Sequence, residues 1–97
     1  MSQYIAQNIT TGSVAVGTSA VQVSTEPSAI KVIVKAASTN SGILYVGKLG
    51  VTANTTPATD GYELVAGGSI ELEIGNPSLL YVIASAITQK AFFTILK

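Results

Sequence analysis

The chain has 97 residues, five Lys, five Asp or Glu, no Arg and no net formal charge, so only 10% of it is charged against 47% hydrophobic; an ordinary globular domain is about 25% charged. That is one domain's worth of chain. The absence of Cys and His excludes disulfide scaffolds, zinc ribbons, thiol nucleophiles and His-based catalysis. With five Lys and no Arg, a nucleic-acid or acidic-membrane surface has almost no charge to work with.

Residues 1–12 are polar around Tyr4, Ile5 and Ile9 and are expected to form an N-terminal arm, with the β domain spanning 13–97. Met1–Asn8 has neither charge nor a long apolar run, so it does not read as a secretory signal and predicts synthesis in a cytoplasm. The most apolar run, Leu79–Ile87, is far short of the roughly 20 residues that span a bilayer.

Strand signals then recur at short intervals. Ser13–Gly17 alternates with Val14 and Val16 on one side, and Ala20–Ser24 repeats this with Val21 and Val23. In Ile30–Ala37, Ile30, Val32, Val34 and Ala36 share a face; Lys31 and Lys35 mark the other, where Ile33 implies partial cover. Ile43–Lys48 is the next strand, with Leu44 and Val46 on one side and Tyr45 on the other. Val51–Thr59 is rich in Thr, Ala and Asn and reads as a loop or ragged edge, followed by a turn signal at Asp60-Gly61. Tyr62–Ala66 is a short strand, and Gly67-Gly68 turns into Ser69–Ile74, where Ile70, Leu72 and Ile74 alternate with Glu71 and Glu73. Gly75-Asn76-Pro77 stops that strand, and Leu79–Ala86 and Gln89–Leu96 follow, apolar on both faces. No window carries a helical stripe. Seven or eight short strands predict an all-β protein: a single antiparallel β-sandwich, jelly-roll-like.

Several constellations of side chains bear on chemistry. Glu71 and Glu73 point to one strand face and, with Glu63 or Asp60, could offer oxygen ligands to Ca²⁺ or a carboxylate pair for glycoside hydrolysis. A solvated outer face is the preferred reading, since nothing nearby raises a carboxyl pKa or builds a cleft. Tyr4, Tyr45, Tyr62 and Tyr81 could stack on sugars, although no Trp is present; ordinary rim or interface tyrosines are preferred. Phe92 and Phe93 place an aromatic on each face of one strand, one for the core and one for a partner surface. Gly47-Lys48-Leu49-Gly50 lacks the remainder of a phosphate-binding loop. No catalytic residue, metal or cofactor is predicted.

Five segments carry a resemblance: Ser13–Gly17 with Ala20–Ser24, the Lys/Val strand Ile30–Lys35, Ile43–Gly47, Gly61–Ser69 (GYELVAGGS) and Leu80–Ala86 (LYVIASA). Together, over about residues 12–97, they resemble small virion proteins of tailed bacteriophages. The resemblance implies a non-enzymatic β-sandwich on the outer surface of the particle, as capsid decoration (cement) bound across major capsid subunits. Other posts open to such proteins are the tail, neck or fibre base; a carbohydrate-binding module on a host-recognition structure is a further alternative. Implied partners are the major capsid protein and other copies of the same chain, as a trimer, with no nucleic acid and no membrane. The composition agrees, because a weakly charged, neutral chain repels its copies little. Tyr4, Ile5 and Ile9 are the candidate interface residues.

Overall fold

The computed structural model describes residues 7–97, and within them the protein is all-β. Eight strands form: β1 (Ile9–Val16), β2 (Val21–Gln22), β3 (Lys31–Ala36), β4 (Leu44–Gly47), β5 (Tyr62–Leu64), β6 (Ser69–Leu72), β7 (Tyr81–Ala84) and β8 (Gln89–Leu96). They build two four-stranded antiparallel sheets, ordered β1-β8-β3-β6 and β2-β7-β4-β5.

Alternation along the strands makes the core. The first sheet contributes Val14, Val16, Val32, Val34, Ala36, Ala91, Phe93 and Ile95; the second contributes Val21, Leu44, Val46, Leu64, Val82 and Ala84. Burying one such aliphatic side chain contributes about 1.5–3 kcal/mol. Strand β8, eight residues long like β1, lies between β1 and β3; its Ala91, Phe93 and Ile95 face the core, and Phe92 and Leu96 fall on the opposite face. Edge strand β6 keeps the predicted alternation, but Ile70 and Leu72 are only half-buried because no strand among the described residues lies beyond it.

The boundary drawn at residue 12 falls inside β1. That strand begins at Ile9 and pairs with β8 from Ile9↔Leu96 to Val16↔Gln89. The backbone N–H groups of Gln7 and Asn8 both donate to the Lys97 carbonyl (2.6 and 2.8 Å). Thr10 and Thr11 are polar yet suit a strand through β-branching, and β8 supplies the ladder that their sequence alone does not announce. The second alternating segment shrinks instead: β2 is two residues long, although Val23 beyond it is buried.

Asp60-Gly61 does not make a two-residue hairpin turn. Segment 48–60 folds back against the outer face of the second sheet, with an isolated Thr52↔Asp60 bridge at its base. Val51 is buried there, and its methyl lies where a Cβ on Gly47 or Gly61 would stand (2.7 and 2.6 Å). Glycine is required at both positions by that approach. The same loop explains why Tyr45, on the outer face opposite Leu44 and Val46, is only 5% exposed.

Candidate interaction surface

The chemistry-bearing groups do not converge. Glu71 lies on β6 and Glu73 just beyond its end, and Glu71 pairs with Lys31 across the sheet (3.4 Å). Glu63 lies on β5 and Asp60 beside it, both on the other sheet, so the four carboxylates of the considered Ca²⁺ site are divided. No group of three acidic residues among the described residues could hold a metal ion. An open cleft lined by Ala29, Ile30, Lys31, Glu73 and Gly75 holds one carboxylate and one ammonium.

Asp60 organises its loop instead. Its Oδ1 accepts from Thr52 Oγ1 (2.7 Å) and from the backbone N–H groups of Thr55 (2.9 Å) and Thr56 (3.0 Å). The Thr52 hydroxyl first, then the Thr56 and Thr55 amides, hold its carboxyl below the ordinary Asp value. Burial, with Glu63 and then Asp60 as neighbouring negative charges, pushes the Tyr45 phenol above its ordinary value.

The tyrosines form no common platform. Register places Tyr62 opposite inward-facing Val46, whereas Tyr45 stands opposite Glu63 on the outer face. Tyr81 shares that outer face but lies opposite Gly47. Tyr45 is buried and Tyr62 is 60% exposed at a strand end. Tyr4, like Ile5, lies outside the described residues.

Phe92 and Phe93 divide as their adjacency requires. Phe93 packs into the core, its ring under Gly12, where an added Cβ would meet it at 2.7 Å. Phe92 points outward, 44% exposed, with the Lys90 ammonium 5.6 Å from its ring centroid. Register gathers Ile9, Leu96, Ile33 and Phe92 on this outer face of the first sheet, with Lys31, Lys35 and Lys90 around them. Ile9, predicted as an interface residue, is thus an exposed strand residue on that face.

A second apolar surface lies on the other sheet. Leu49 and Leu79 are exposed and, with Lys48, Ser78 and Tyr81, line a shallow groove. Neither leucine was singled out from sequence: Leu49 sits in Gly47-Lys48-Leu49-Gly50, and Leu79 in an apolar run read as strand. Leu79 instead ends a single 3-10 turn, Pro77–Leu79, capped by Asn76.

Comparison of the chain with protein-family models, with curated proteins and with solved structures found no match.

Proposed function

We propose that this protein is a non-enzymatic structural component of a tailed-phage particle, working as a capsid decoration protein. The observation that carries the reading is the outer face of the first sheet, which no element among the described residues covers and on which Ile9, Ile33, Phe92 and Leu96 lie around Thr94, in a chain with few charges. Apolar surface of that kind gains free energy when another protein covers it. The mechanism is physical: each copy lies across a junction between shell subunits, so parting them also strips the bound copy. Contact with two subunits multiplies retention without new chemistry.

The strand orders β1-β8-β3-β6 and β2-β7-β4-β5 support reading the two packed sheets as a jelly roll, a double-sheet architecture that virion proteins use widely. Among the described residues, the carboxylates lie on different sheets and the tyrosines on different faces.

The test is the protein content and electron-microscopy map of particles purified from cells carrying the gene. Hundreds of copies on the shell are expected. A dozen or fewer would move the post to the tail, neck or fibre base, and absence from the particle would overturn the reading.

A further inference from the structure

We infer that β1 is a self-association edge: two copies join by antiparallel pairing of β1 with β1 about a two-fold axis at Gly12. The inference does not rest on the proposed role in a virion.

The four sheet edges differ sharply. At one side of the molecule, β6 is four residues long and carries Glu71, and β5 is three residues long and carries Glu63. Short length and charge are the devices that keep an edge from pairing with another chain. At the other side, β2 is two residues long, but β1 runs for eight, ITTGSVAV, without charge or proline. Its register with β8 never slips, so no bulge disrupts it. The first charged residue of the whole chain is Glu26. Among the described residues, no strand pairs with the far side of β1.

The backbone groups available there follow from the ladder. Asn8 and Lys97 exchange both backbone hydrogen bonds (2.8 and 3.0 Å). Antiparallel bonding alternates, so even-numbered residues of β1 bond β8, and Ile9, Thr11, Ser13 and Ala15 direct their N–H and C=O groups outward. All four are exposed. Asn8 Oδ1 caps the Ile9 N–H at the strand end (2.9 Å), leaving the central groups open.

Self-pairing has one best register. With Gly12 on the axis, Thr11 meets the copy's Ser13 and Ile9 meets the copy's Ala15. The outward groups then find partners, apart from the Ile9 N–H that Asn8 already caps, whereas centring on Thr11 or Ser13 leaves one end unmatched. Gly12 faces Gly12 in a non-hydrogen-bonded pair, where side chains approach most closely. No like charges meet, because β1 has none. A cyclic trimer would need β1 to match a different edge, and the others are short, and β5 and β6 carry carboxylates as well.

The experiment is sedimentation of the full chain and three variants over a concentration series, with circular dichroism and thermal melting to establish that each folds. Native chain is expected at twice its 9.9 kDa mass. Thr11→Lys/Ser13→Lys places ammonium opposite ammonium twice and should weaken the dimer by about two- to thirty-fold. Thr11→Lys/Ser13→Glu alternates the signs across the axis and should restore it. Ser13→Pro removes an outward N–H that β8 does not use, and should give a folded monomer. A native monomer at every concentration, a native trimer, or a dimer indifferent to the Lys pair and to Ser13→Pro would each overturn the inference.

Discussion

Gln89 is buried to 4% exposure at the end of the core, on the same face of β8 as Ala91, Phe93 and Ile95. Its amide holds the loop after β3: Oε1 accepts from the Gly42 N–H (2.8 Å), and Nε2 donates to the Ile87 carbonyl (2.7 Å) and Ser41 Oγ (3.2 Å). Asn40 works beside it, its side chain bonding both the N–H and the C=O of Lys90 (2.9 Å each). Gln89→Met keeps the length of the side chain and removes every polar atom from it. The Gly42 N–H and the Ile87 C=O then lose their partners, each worth about 1–3 kcal/mol when buried. Both sites are only partly buried, so the low end applies to each, and the expected loss is about 2–3 kcal/mol. For a domain of this size that is about 10–20 °C in melting temperature. Gln89→Glu keeps the acceptor for Gly42 but sets a carboxylate against the Ile87 carbonyl, and should be worse at neutral pH than at acid pH, where the carboxyl regains a proton to donate. Urea unfolding followed by circular dichroism gives the comparison, with the slope unchanged if only the folded state is altered. A Gln89→Met protein within about 0.5 kcal/mol of native would mean that water replaces these bonds without loss, and the reasoning would fail.

Gly61→Ala should destabilise by about 1–3 kcal/mol and release the 48–60 loop to proteolysis. Its Cβ would meet the Val46 carbonyl oxygen (2.8 Å) and the Tyr45 carbonyl carbon (2.9 Å) as well as Val51. Adding Val51→Ala should not rescue it, because the backbone contacts remain. Asp60 is held below its ordinary pKa, so its contribution is complete above about pH 4 and drains as pH falls through the folded value; amide exchange at Thr55 and Thr56 should accelerate there, and Asp60→Asn should abolish that acid dependence. Tyr45 is shifted upward, so its contribution is complete below about pH 10 and is lost as pH rises toward the folded value. Tyr45→Phe should flatten that alkaline limb of a stability profile.

Period-two alternation made most of the fold legible, because it reports burial on one sheet face. Val32, Val34 and Ala36 in β3, and Gln89–Leu96 as β8, stand where the pattern puts them. The pattern weakens where burial comes from something other than the opposite sheet. Thr10 and Thr11 look like loop residues until β8 pairs with them, and Tyr45 looks half-exposed until loop 48–60 covers it. Gln89 gives no local sign at all, since its partners at Gly42 and Ser41 are 47 and 48 residues away. Of the predicted interface residues, Ile9 is on an exposed strand face because its parity within β1 turns it away from the core. Leu79 is hidden for a related reason: an apolar residue in a run reads as interior unless a turn such as Pro77–Leu79 rotates it outward, whereas Leu49 stands alone in a glycine-flanked turn with no pattern to mark it.

The edge and the face have geometrical consequences for one another. Pairing β1 with its copy about an axis normal to the sheet keeps both outer faces on one side, so the Ile33–Phe92 surfaces of two copies would lie in a single eight-stranded face, twice the four strands of one. The Leu49–Leu79 grooves belong to the other sheet and would stay on the opposite side. A dimer of this kind could therefore touch a shell through two identical faces at once. Each face would need only modest affinity, since the second contact forms at the effective concentration set by the first. The two surfaces can be separated by mutation. If the proposed decoration role holds, Phe92→Ser should weaken shell binding while leaving the dimer intact, and Ser13→Pro should abolish the dimer while keeping Ile9, Ile33, Phe92 and Leu96 on each, now monovalent, face. If Ser13→Pro bound shells as tightly as the native chain, bivalence would have no part in retention, whatever the state of the free protein.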